Sequence, residues 1–139
     1  MRLPALILCL ALTAPASAAR QQLGTLTPAQ AISRAAAASP KPVRALFQVK
    51  VQSAKKTADG YNLDSEKDFR SPANLGVAVR ASAMPGLTRK FGADLGHAFL
   101  GKTVKLIGQV QRVSVGGNRH PGTATQVEVT HAGQILSVS

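Results

Sequence analysis

The sequence predicts a mainly β domain: a five-stranded Greek-key barrel with a helix between strands 3 and 4, preceded by a short N-terminal helix. Three observations carry this expectation. From Val43 onward the apolar residues recur at every second position, the period of a strand with one buried face. Between Ala81 and Leu100 the period changes, and Leu87, Phe91, Leu95 and Phe99 recur every fourth residue as a helical stripe. Alternation then returns, which gives the order β-β-β-α-β-β after the first helix.

The first 19 residues read as a targeting segment. Met1-Arg2 is positive, Leu3 to Leu12 is apolar, and Ala16-Ser17-Ala18 offers small residues for cleavage near Ala18 or Ala19. This is the pattern of a Sec-type signal peptide. The apolar run is too short to span a bilayer, and no later run is long enough for a second attempt. The single Cys, Cys9, lies inside it behind Leu8, a poor setting for lipid attachment. Cleavage would therefore leave roughly 120 residues with no thiol, so that stability must come from an ordinary core and not from a disulfide. The expected location is the periplasm or the exterior of a bacterial cell.

Residues 20–42 form an Ala/Pro-rich lead. Thr27-Pro28 is an N-cap followed by Pro at the first helical position, and Ala29 to Ala38 has high helix propensity. Only Ile32 is large and apolar there, which suggests a helix loosely docked or used as a spacer. Ser39-Pro40-Lys41-Pro42 stops it as a stiff linker.

Residues 43–139 make the main domain. Val43, Ala45, Phe47, Val49 and Val51 define the buried face of a first strand. Ser53 to Gly60, with Lys55 and Lys56, reads as a loop, and Tyr61 to Asp64 as a second strand. Ser65 to Asn74 is a charged connection, and Leu75 to Arg80 a third strand. The segment Ala81 to Leu100 predicts one helix and a shorter turn, since Gly92 and Gly96 interrupt its stripe. Thr103 to Val113 is a fourth strand in which Gly108 suggests a bend or bulge. After a Gly-rich loop, Gln126 to Thr130 and Gln134 to Val138 are the last short strands. This order, with its helix between strands three and four, is that of the OB-fold.

A resemblance points the same way. Leu100-Gly101-Lys102-Thr103-Val104-Lys105-Leu106-Ile107-Gly108-Gln109-Val110 resembles the LGKxVxVxGxV strand of many OB-fold domains. Gln126 to Ile135 (QVEVTHAGQI) resembles an xIEVTHPxQI ending, with Ala132 in place of the Pro. Tyr61 to Leu75 resembles an hLNSExDYRxPxNhxV segment. Together these resemble small secreted bacterial OB-fold proteins of nuclease-like or DNA-binding-like character. The resemblance implies a binding fold without supplying a catalytic set, because the Arg, Asp and Glu that thermonucleases place around a cation have no counterpart that aligns here.

Charge is the strongest functional signal. The chain carries 17 Lys and Arg against 6 Asp and Glu, a formal net charge of +11. That implies attraction to an anionic partner without naming it. Aromatic residues are only 4% of the chain, which argues against a binder built on extensive base stacking. Asp59, Asp64, Glu66 and Asp68 lie close together but lack EF-hand spacing, and they read as a solvated loop balancing Lys55, Lys56, Lys67 and Arg70. His97, His120 and His131 form no ligand pair, and no nucleophile elbow or phosphate loop occurs. No catalytic residue, metal site or cofactor is therefore expected.

OB-folds hold ligands across strands two and three, flanked by two loops. That geometry selects Lys55 and Lys56 on one side and Arg119 and His120 on the other. Lys50, Arg80 and Arg112 lie at or near strand ends, and Tyr61, with Phe69, would add a stacking face if exposed. The competing reading is a scatter of solubilising surface charge. The expected function is an exported, non-catalytic module whose basic groove holds nucleic acid, an acidic glycan or a lipid head group. The alternatives are an accessory subunit of an envelope assembly, docking through a strand edge or the N-terminal segment, and, lower in rank, a small nuclease-like hydrolase using the acidic loop.

Overall fold

A computed structural model describes residues 24–119 and 121–139. The expected signal segment and His120 lie outside the described residues. The fold is mainly β. Its strands form one open, mixed sheet of eight, against the five expected.

β1 (Thr25–Leu26) buries Leu26 and runs parallel to β2 (Val43–Lys50). α1 (Pro28–Ala38) starts as the sequence dictates. Thr27 Oγ1 accepts from the Gln30 amide at 3.3 Å, and Gln30 Oε1 accepts from the Thr27 amide at 3.0 Å, a reciprocal cap. The helix is not loosely docked. Ala31 and Ala35, one turn apart, have no exposed surface and pack into the core. Small side chains here serve as the contact, because they let the helix backbone approach the sheet without leaving a void. Counting only large apolar residues hid this.

β2 (Val43–Lys50) buries Ala45, Phe47 and Val49 and turns Arg44, Gln48 and Lys50 outward. Two residues later the chain forms β3 (Ser53–Lys56), where a loop was expected. Its polar composition shows no alternation, yet it pairs antiparallel with β4 (Tyr61–Asp64). Gly60 permits the entry into β4, since a β-carbon there would overlap the Val79 carbonyl oxygen. β5 (Leu75–Val79) pairs antiparallel with β4 and parallel with β7 (Gly122–Val129).

A single 3₁₀ turn at Ala81–Ala83 leads into α2 (Met84–Phe91) and then α3 (Leu95–Phe99), two helices where one helix and a turn were expected. Gly92, at φ +97°, ends α2. Asp94 Oδ1 accepts from the His97 amide at 3.0 Å and starts α3. The stripe is core, as read from the sequence. Leu87, Leu95 and Phe99 have no exposure, and Phe91 meets Phe99 edge-on with ring centres 5.2 Å apart.

β6 (Thr103–Val115) is the longest strand and pairs antiparallel with β2, β7 (Gly122–Val129) and β8 (Ile135–Val138). Gly108 marks no bulge in the pairing with β2. It leaves room instead, because a β-carbon there would stand 2.9 Å from Val127 Cγ1 and 3.3 Å from Gln134 Nε2. β7 begins at Gly122, four residues before the expected Gln126, so much of the predicted Gly-rich loop is strand. Gln134 ties the end together: its Nε2 donates to the Ile107 and Glu128 carbonyls, and its Oε1 accepts from the Thr130 and His131 amides. The sheet order is β1-β2-β6-β7-β5-β4-β3, with β8 also on β6.

Candidate binding groove

Strand alternation decides which side chains face solvent. On β4, Tyr61 and Leu63 are buried in the core, so Asn62 and Asp64 take the outer face. On β5, Leu75, Val77 and Val79 face inward and Gly76 and Ala78 face out. On β7, Ala124, Gln126 and Glu128 face out. The pairings align these positions. Lys55, Asn62, Ala78 and Glu128 form one row across the strands, and Asp64, Gly76 and Gln126 the next. Two small residues, Ala78 and Gly76, thus stand within rows whose other members are larger and polar. The result is an open groove of about 480 Å³, walled by Lys55, Phe69, Arg80 and Val115.

The loop over one edge of this groove is held by buried polar groups. Asn74 Nδ2 donates to Asp64 Oδ1 at 3.0 Å and to the Phe69 carbonyl at 3.3 Å. Asn74 Oδ1 accepts from the Glu66 amide at 3.1 Å, and Ser65 Oγ accepts from the Leu75 amide at 2.8 Å. Asp64, Ser65 and Asn74 are all buried. Burial raises the Asp64 carboxyl above its usual range, against the opposing pull of the Asn74 hydrogen bond and the Lys55 charge. Asp64 is therefore a structural acid and not part of a solvated loop. The same loop holds Phe69 at 52% exposure, with Lys55 Nζ and the Arg70 guanidinium each 5.3 Å from its ring centre.

The residues selected from sequence divide. Lys55 and Arg80 line the groove. Arg80 Nε donates to Glu128 Oε1 at 2.9 Å, and both side chains are about half exposed. Lys56 pairs with Tyr61 in the ladder and so takes the opposite face of β3 from Lys55. Arg112 is opposite Thr125, out of phase with Gln111, and its Nη2 donates to Thr123 Oγ1 at 2.7 Å. Lys50 ends β2 opposite Thr103, among residues that do not line the groove. Arg119 is exposed in the turn after β6. Tyr61 is 8% exposed and belongs to the core, so it offers no stacking face.

Asn62, Gly76, Ala78 and Gln126 were not singled out from the sequence. The signal was available in their parity on strands two, three and five, but it needed the register between strands. Among the described residues, no three His, Cys, Asp or Glu side chains gather as metal ligands, and no helix is long and apolar enough to cross a membrane. No protein-family model matches the chain, and no curated protein matches it.

Proposed function

We propose that this chain is an exported, non-catalytic binding module that holds an anionic partner in the groove over β4, β5 and β7. The observation that carries the reading is the groove's composition: cations Lys55 and Arg80 at its walls, an exposed Phe69 flanked by Lys55 and Arg70, and a floor of small and amide side chains in which Asp64 is the one acid, its carboxyl bonded to Asn74. Such a surface attracts anions by charge and leaves the floor free for polar contacts. The targeting pattern of residues 1–19 supports export.

The OB-type barrel belongs to the same proposal. β2 and β3 are separated only by Val51 and Gln52, and β2 pairs with β6 while β3 pairs with β4. Taken as one bent strand, they bring the two ends of the sheet order together, with β4, β5, β6 and β7 as the other four strands. The parallel β5–β7 pair and the helices between β5 and β6 suit this reading. The groove then falls on the strands where that fold carries ligands. The accessory-subunit reading relied partly on residues 20–42 as a docking segment. α1 already uses its Ala31 and Ala35 face on the sheet, which weakens that support.

The test is a binding titration with oligothymidylate, heparin and anionic vesicles across a range of salt. Affinity for an anionic ligand that falls steeply with salt, and falls further in Lys55→Ala, supports the proposal. Absence of binding to all three at low salt overturns it.

A further inference from the structure

The groove has a neighbour. A second open hollow of about 320 Å³ lies over β2, β6 and the end of β7, lined by Arg44, Gln109, Gln111, Glu128 and His131 among others. The two hollows share a rim. Gln126 of the first is opposite Gln111 of the second in the β6–β7 ladder. Arg80 of the first is ion-paired with Glu128 of the second. On the far side, Gln109 is opposite Arg44 in the β2–β6 ladder. The hollows adjoin at the Gln126–Gln111 pair and the Arg80–Glu128 ion pair.

Resting on the groove reading above, we propose that the two hollows form one track for single-stranded nucleic acid, running from Lys55 on β3 to Arg44 on β2. The sheet order sets its length. Six neighbouring strands, β3-β4-β5-β7-β6-β2, have five gaps of ~4.8 Å, or roughly 24 Å along the outer surface. Amides make up most of the floor: Asn62, Gln126, Gln111 and Gln109 both donate and accept, as base edges require, beside the carboxylates of Asp64 and of Glu128 on the ridge. Cations stand at its two ends and at the ridge. A highly sulfated glycan needs a cation at nearly every unit, which this floor does not provide. The Arg80–Glu128 pair is exposed, so solvent and salt screen it, and a phosphate crossing the ridge would take over Arg80.

The experiment measures fluorescence anisotropy with oligothymidylates of about 4 and about 12 nucleotides, sizes that bracket a short site and one spanning the barrel. The wild-type protein, Lys55→Ala, Arg44→Ala and Arg44→Lys are compared across salt. Arg44 is exposed on β2, so its loss leaves the core untouched. The proposal expects Arg44→Ala to weaken the longer oligomer roughly 3- to 10-fold, to lower its salt slope by about 0.7, and to spare the shorter one. Arg44→Lys restores the longer oligomer, and Lys55→Ala weakens both. If the shorter oligomer binds with Lys55 dependence but Arg44→Ala changes neither, the extension is wrong and the groove stands. If neither oligomer binds, the groove reading falls and the track with it. If heparin fragments reproduce the length and Arg44 dependence, the ligand class is wrong.

Discussion

Asn74 and Asp64 are joined across the edge of the groove: the Asn74 amide donates to Asp64 Oδ1 at 3.0 Å, and both side chains are buried. The same Asn74 nitrogen reaches the Phe69 carbonyl, and its oxygen receives the Glu66 amide. One side chain therefore satisfies a buried acid and fixes the loop that presents Phe69. Asn74→Ala leaves Asp64 and the Glu66 amide without these partners. It should destabilise the protein by about 2–4 kcal/mol, read by urea denaturation. A loss under about 0.5 kcal/mol would mean that the network does not hold the loop.

The pH response of Asp64 has a definite sign. Burial raises its folded-state pKa above the unfolded value, so the folded state holds this proton more tightly than the unfolded chain. The stabilisation from the protonated form is present in full below the unfolded value and is lost as pH rises through the raised folded one. Asp64→Asn imitates the protonated carboxyl. Denaturation curves at acid and neutral pH should show this variant gaining on the wild type as pH rises. A gap independent of pH would contradict the assignment.

The groove depends on the absence of a side chain at Gly76. A β-carbon there meets nothing closer than Asp64 Oδ1 at 3.6 Å, so the strand accepts a Cβ, and a longer side chain would project from it on the groove side. Gly76→Leu should fold, with a stability change within about 1 kcal/mol, and lose most of its affinity for oligothymidylate. Circular dichroism and anisotropy separate the two effects. Unchanged affinity would place the ligand elsewhere.

Glu128 competes with any anion for Arg80. An exposed ion pair contributes ~0–1 kcal/mol to stability, so Glu128→Gln should leave the melting temperature nearly unchanged. Its affinity for oligothymidylate at low salt should rise about two- to fivefold, since Arg80 is freed and a negative charge removed. A fall in affinity would show that Glu128 itself contacts the ligand.

α1 offers a test of packing alone. Ala31 has no exposed surface and lies within the core cluster. Ala31→Leu should cost about 1–3 kcal/mol through overpacking. A neutral substitution, by thermal denaturation, would restore the picture of a loose spacer.

Sequence periodicity located the buried faces well. Phe47, Val77, Leu87, Phe99, Val104 and Val127 are core residues on strands or helices near the expected positions. Periodicity failed where side chains are small or polar. Ala31 and Ala35 pack because they are small, and β3 exists because β4 supplies a partner, not because Ser53 to Lys56 alternate. For the groove, sequence found the cations Lys55 and Arg80 but not the floor. Gly76 and Ala78 become a floor only when the register sets them beside Asn62 and Gln126. The position of Tyr61 at a strand start suggested a stacking face, but its phase on β4 turns the ring into the core.

The groove's position calls for an anionic chain lying over β4, β5 and β7. Amide chemical-shift mapping during an oligothymidylate titration tests it most directly. The largest changes should fall at Lys55, Asn62, Gly76, Ala78 and Gln126, and diminish as salt is added. Changes centred on α2 and α3, or spread evenly over the basic surface, would contradict it.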